Sequence, residues 1–155
     1  MKKLFIIPLI FILLQNCGYT PIYSKNQPIN FYIESLEFNE GDNELANFIK
    51  INLQRYLRGN DNNIGYEIKA IINYNKSPLS KNSAGQIEEY NLISTIEFVI
   101  ILNKTSKVYN ITESFVMPNF SDEFQEIQYE RNIKQNMARS IASKLLIQLT
   151  TLNVN

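Results

Sequence analysis

The sequence predicts an α+β fold: a two-layer sandwich in which a four-stranded sheet carries two helices on one face, in the order β-α-β-β-β-α. Two observations carry this. Two segments repeat apolar residues at the 3.6-residue helical period, and three repeat them at the two-residue period of a half-buried strand, the last of them followed by a short turn and a return strand. Two amphipathic helices with one stripe each need a sheet face to bury those stripes, and a two-layer arrangement supplies it. The length of 155 residues suits one domain, able to bury about 70% of its unfolded surface.

The elements follow in chain order. Ile29 to Phe38 is rich in β-branched and aromatic residues, with Ile29, Phe31 and Ile33 alternating, and is predicted as a first strand with an irregularity near Ser35. Asn39-Glu40-Gly41-Asp42-Asn43 punctuates the chain. A helix follows, because Leu45, Phe48, Ile49, Leu53, Tyr56 and Leu57 lie on one helical stripe. Asp42 or Asn43 can cap its start, Gly59 stands where a C′ glycine belongs, and Glu44 leads while Lys50, Arg55 and Arg58 trail, as the macrodipole favours. Tyr66, Ile68, Ala70, Ile72 and Tyr74 alternate as a second strand. Lys76 to Gln86, with Pro78, Gly85, three Ser and two Lys, is expected to be an exposed loop. Glu88 to Asn103 is a long third strand with Tyr90, Leu92, Ile96, Phe98, Ile100 and Leu102 on one face. Asn103 to Lys107 is expected to be a hairpin turn. Val108 to Met117 is its antiparallel return, stopped by Pro118. The last helix runs from about Asp122 to Leu149, with Ile127, Ile133, Met137, Ile141, Leu145 and Leu149 as its inner stripe. Glu130 and Lys134 are expected on its outer side as an i,i+4 pair.

The N-terminus is set apart from this domain. Met1-Lys2-Lys3 is cationic, and Leu4 to Leu14 is apolar, interrupted only by Pro8. Such a run is too short for the ~20 residues of a bilayer-spanning helix and fits the apolar region of a secretory signal. The chain's single Cys, Cys17, stands where cleavage would fall. Leu14-Gln15-Asn16-Cys17 resembles a bacterial lipobox, with Gln15 and Asn16 where small residues are usual. Cys17 would then be lipidated, with acyl chains sufficient for stable membrane attachment. An ordinary signal peptide with an incidental Cys is the alternative. Residues 1–16 are thus read as a removed signal peptide, 17–28 as a lipid-anchored tether holding Pro21 and Pro28, and 29–155 as the single domain. Gly18 after the Cys resembles the pattern that directs enterobacterial lipoproteins to the outer membrane.

Composition excludes several chemistries. With no His, no Ser-His-Asp triad, Cys-His dyad or imidazole metal site can be built from this chain. One Cys excludes an internal disulfide, a CxxC pair and a Cys-only zinc cluster. Fifteen Lys and Arg against fifteen Asp and Glu give none of the basic excess of a nucleic-acid binder. The acidic pairs Glu88-Glu89 and Asp122-Glu123 read as solvated surface and helix-start charge. No glycine-rich phosphate loop is present. No catalytic residue, metal or cofactor is therefore assigned, and the chain is not expected to be an enzyme.

Cys17-Gly18-Tyr19-Thr20-Pro21-Ile22-Tyr23 is similar to the start of many members of the lipopolysaccharide-assembly lipoprotein family LptE. The string from Phe120 through Gln128-Tyr129-Glu130-Arg131 to Ala138, Ile141 and Leu145 resembles that family's final helix. The resemblance extends over nearly the whole mature chain. It implies an outer-membrane lipoprotein, facing the periplasm, that plugs and helps to fold an LptD-type β-barrel and assists lipopolysaccharide insertion into the outer leaflet. An auxiliary lipoprotein of an envelope lipid-transport ABC system is the alternative, and a free-standing lipoprotein enzyme a third class. Loop tips carry binding more often than sheet faces. Lys76 and Lys81, in the loop after the second strand, and Lys104 and Lys107, in the hairpin turn, are accordingly the candidates for lipopolysaccharide contact.

Overall fold

The computed structural model describes residues 31–57 and 63–152. The expected signal peptide, Cys17, the tether, Gly59 and the first residues of the expected first strand lie outside them. The elements are β1 (Phe31–Glu40), α1 (Asn43–Leu53) followed by a 3-10 turn over Gln54–Tyr56, β2 (Ile64–Lys81), β3 (Ile87–Leu102), β4 (Thr105–Pro118) and α2 (Glu123–Leu152). The sheet order is β1-β2-β3-β4. β1 runs parallel to β2, joined to it through α1, whereas β2–β3 and β3–β4 are antiparallel. The expected α+β order and four-stranded sheet with two helices are therefore what the chain forms.

One sheet face is buried. Ile68, Ile100 and their cross-strand neighbours Ala70, Phe98, Ile72, Ile96 and Ile111 form adjoining rows. Leu45, Ile49 and Leu53 of α1 and Met137, Ala138, Ile141, Ala142, Leu145 and Leu149 of α2 complete the same buried cluster. Ala138 and Ala142 let α2 lie close, since a small side chain shortens the distance at which two elements can pack. Among the described residues the opposite face carries no helix. It presents Asn91, Ile93, Thr95, Glu97 and Val99 of β3 beside Ser114, Thr112, Asn110 and Val108 of β4. Thr95 and Thr112 share a hydrogen bond of 3.0 Å across it, and Ser114 Oγ donates to Asn91 Oδ1 at 2.9 Å.

Several expectations are corrected. The irregularity near Ser35 is present as a register shift between Ile33 and Ser35, but the expected loop from Lys76 to Gln86 is mostly strand. β2 continues through Pro78 to Lys81, and only 82–86 turn. Pro78 is tolerated because β1 stops pairing at Glu40–Ile71, so that among the described residues no strand on the far side of β2 calls for an amide donor there. The turn is held by Asn82, whose Oδ1 accepts from the amides of Ala84 (3.0 Å) and Gln86 (2.9 Å). The hairpin turn is likewise shorter than expected. Asn103 (φ 49°) and Lys104 (φ 68°) make the whole turn, and the pair Leu102–Thr105 closes it. Two residues at positive φ form the type I′ geometry that matches strand twist.

In α2 the phase of the first turns differs from the expected stripe. Ile127 is 56% exposed, while Lys134 is only 8% exposed. Glu126 and Glu130 occupy the positions that reach β2, through Lys76. Ile127, about 100° further round the helix from Glu126, turns outward. Apolarity alone misplaced both residues, because here the inward positions are polar.

Candidate functional site

The structure separates the four lysines. Lys81 ends β2 beside the 82–86 turn, whereas Lys104 and Lys107 lie at the opposite end of the sheet. Lys76 pairs with Leu92 and Lys107 with Ile100, and eight residues of strand separate those rows by about 27 Å. Lys81, Lys104 and Lys107 are exposed, but they do not converge on one ligand-sized patch. Lys107 is not in the turn: it belongs to β4 and lines a cavity of about 220 Å³ with Tyr66, Ile100, Leu102 and Leu152. Lys76 is not a loop residue either. Its Nζ donates to Glu126 Oε1 at 2.5 Å and to Glu130 Oε2 at 3.0 Å, and it lies 4.7 Å from the centre of the Tyr90 ring. Its charge is matched within the fold.

Lys76 belongs to a polar cluster of which the sequence reveals only the Asp42 cap and the Glu130–Lys134 pair. Asp42 caps α1, its Oδ1 accepting from the Leu45 amide at 2.8 Å. Its Oδ2 accepts from Lys134 Nζ, also at 2.8 Å, and Glu44 Oε2 accepts from the same ammonium at 3.3 Å. Glu130 Oε1 lies 3.7 Å from Lys134 Nζ and accepts from the Tyr74 hydroxyl at 2.9 Å. Arg131 reaches Glu44 at 3.4 Å. The start of α1, the middle of β2 and the first half of α2 are thereby tied together by alternating charges. Beside the cluster, where β1 leaves β2, a cavity of about 740 Å³ is lined by Gly41, Asp42, Ile72, Tyr74, Asn75 and Thr95, among others.

The cluster sets its own protonation. Burial by itself would raise Glu130, but hydrogen bonds from Lys76 and Tyr74 and the charges of Lys76 and Lys134 outweigh it. Its carboxyl is held below its ordinary 4.5. Burial would lower Lys134, yet Asp42, Glu44 and Glu130 hold it above its ordinary 10.5; Glu126 and Glu130 do the same for Lys76. Tyr74 is raised strongly, first by burial and then by donating to Glu130. These directions keep Glu130 ionised, Lys76 and Lys134 protonated and Tyr74 a neutral hydroxyl near neutral pH.

The consequence for stability has a definite sign. A carboxyl with a lowered folded-state value contributes stability that is present above its ordinary value and lost as pH falls through the folded one. The raised lysines contribute stability present below 10.5 and lost as pH rises through their folded values. Thermal unfolding should therefore be nearly pH-independent from about 5.5 to 9.5 and weaken on both sides. Glu130→Gln keeps an acceptor for Tyr74 but cannot titrate, so its acid limb should be shallower. Parallel acid limbs in parent and variant would remove Glu130 from the account.

Among the described residues no group of three or more His, Cys, Asp and Glu side chains is placed to hold a metal ion, and no helix is long and apolar enough to cross a membrane.

No family model and no curated protein sequence matches the chain. Solved structures do. The rare lipoprotein B from Shewanella oneidensis is 18% identical, with a TM-score of 0.59 over 78% of this chain and 97% of that one. A minor lipoprotein from Acinetobacter baumannii is also 18% identical, with a TM-score of 0.51 over 74% and 94%. Lipoprotein B from Nitrosomonas europaea, at 11% identity, gives 0.56 over 81% and 88%. At such identities the likeness is one of fold: this chain has the architecture of those structures over nearly their full length.

Proposed function

We propose that this chain is a lipid-anchored lipoprotein of the bacterial outer membrane, attached through Cys17, that plugs and helps to assemble an LptD-type β-barrel in lipopolysaccharide transport. The observation that carries the reading is the fold shared with three structures described as lipoproteins, up to 97% of whose length is covered, in a chain whose single Cys follows a short apolar leader. The LptE-like string from Cys17 to Tyr23 supports the finer assignment. So does the sheet face that, among the described residues, carries no helix. Its Asn, Ser and Thr side chains, hydrogen-bonded across strands, suit the wet, polar interior of a large barrel.

Lipopolysaccharide contact is assigned to the exposed Lys81, Lys104 and Lys107, with Lys76 serving the fold. A plug requires a rigid wedge and a tether, and the charge cluster between α1, β2 and α2 supplies rigidity.

The test is recovery of tagged full-length protein from outer membranes of a Gram-negative host under gentle extraction. The expected result is a stoichiometric outer-membrane barrel of LptD type, lost when Cys17→Ala prevents anchoring. Recovery with an inner-membrane ATPase or its permease would replace the barrel reading by that of a transporter-associated lipoprotein. Recovery alone would overturn both.

A further inference from the structure

We infer that β4 is a self-complementary edge through which two copies of this chain pair, antiparallel, about a twofold axis at Thr112. Among the described residues β4 is hydrogen-bonded on one side only, to β3. Its free edge is long, 14 residues from Thr105 to Pro118. From Val108 to Met117 it holds no Lys, Arg or Pro, residues that help to prevent edge strands from pairing, and its one charged residue, Glu113, is paired with Lys144 of its own chain.

The direction of the free backbone groups follows from the hairpin. In a two-residue turn the flanking pair, here Leu102–Thr105, is hydrogen-bonded. Alternate residues beyond it bond to β3, and those between them face away. The even-numbered residues of β4 therefore direct their N–H and C=O groups to the open edge. They are also the residues whose side chains lie on the helix-free face: Val108, Asn110, Thr112, Ser114 and Val116.

This row reads alike in both directions. With Thr112 opposite Thr112 of the second copy, Asn110 meets Ser114 and Val108 meets Val116. Val108 is 56% exposed and Val116 is 51% exposed, and the pairing covers both. On the helix side of the sheet, Tyr109 meets Phe115, an aromatic cross-strand pair, and Ile111 meets Glu113.

Charge is compatible with this register. The outer row is uncharged from 108 to 116, so no like charges face each other there. Glu113 is matched in its own chain by Lys144 at 2.7 Å and Ser140 at 2.5 Å. Lys144 also lines a groove of about 240 Å³ along the β4 edge with Ile111, Thr112 and Ile147, on the side to which the second copy brings its Glu113. A one-residue slip would oppose Val108 to Phe115 across the pleat and lose the valine pairs. The interface is small, so the dimer is weak and concentration-dependent. The inference stands apart from the barrel reading, and its test requires no barrel.

The test uses the full-length chain in density-matched detergent. Sedimentation equilibrium should show a reversible monomer–dimer equilibrium. Val108→Lys with Val116→Lys opposes like charges in two places and removes the apolar pairs. It should weaken association at least about tenfold while leaving the melting temperature of the exposed-strand variant close to the parent's. Mixing Val108→Lys chains with Val116→Glu chains should restore dimers. Thr112→Cys should form a symmetric disulfide under mild oxidation, because directly opposed residues in a hydrogen-bonded pair stand about 5.5 Å apart, within disulfide reach. The parent, which carries only Cys17, is oxidised alongside. A monomer at every concentration overturns the inference. So does a dimer indifferent to the paired lysines, or a Thr112→Cys chain that cross-links only to another protein.

Discussion

Replacing Gly41 by Ala should destabilise the domain by about 3 kcal/mol or more, lowering its melting temperature by roughly 10 °C. Gly41 stands where β1 leaves the sheet, at φ +116°, a conformation L side chains rarely adopt, and a Cβ there would lie 2.1 Å from the Ile72 carbonyl oxygen. The obstacle is backbone in the middle of β2, paired on its other side with Ile96, so it cannot rotate away as a side chain would. Movement of Gly41 would also shift Asp42, which caps α1 and holds Lys134. Gly85 is the internal control. Its φ is +80° but open space surrounds its Cβ position, so Gly85→Ala carries only the left-handed backbone penalty of about 1 kcal/mol. Urea unfolding of both variants separates the effects. Equal losses would show that the close approach to Ile72 is not what requires glycine.

Lys134→Met should cost about 3 kcal/mol, although it exchanges a charged residue for an apolar one at a buried position. The ammonium is shared by Asp42, Glu44 and Glu130 at 2.8, 3.3 and 3.7 Å, and its removal leaves three carboxylates facing one another. Lys76 still serves Glu130, and Arg131 still serves Glu44, which keeps the loss at the lower end of the range for broken buried pairs. Adding Asp42→Asn and Glu44→Gln to Lys134→Met removes the uncompensated charge while Asn retains the α1 cap. The triple variant should recover at least half of the loss. A Lys134→Met protein within 1 kcal/mol of the parent would mean that the cluster is solvated rather than structural.

Much of the fold is legible without tertiary information. The stripe from Leu45 to Leu53, the alternation in β3 and the Ala138–Leu149 seam each bury a face whose period the sequence displays. Asp42 was readable as a cap because capping depends on residues three apart. The errors share one cause. Lys76 looked like a loop lysine because Pro78 and Gly85 follow closely, yet Pro78 is acceptable on a strand whose neighbour has already departed. Lys134 looked exposed because it is charged, yet its partners lie 92 and 90 residues earlier in the chain, a separation no local pattern reports.

The sequence by itself determined the element types and the buried faces of β2 and β3, and Cys17 with its apolar leader is what suggests a lipoprotein. These depend on side-chain period and on short motifs, which are local properties. The tertiary structure alone decided that β1 ends its pairing with β2 at Glu40–Ile71, that two acidic residues at the start of α1 neutralise a lysine in α2, and that β4, among the described residues, pairs on one side only. Each depends on which distant segments become neighbours. Burial converts an isolated charge into a liability only once its surroundings are assembled, and an edge is an edge only once the strand order is set.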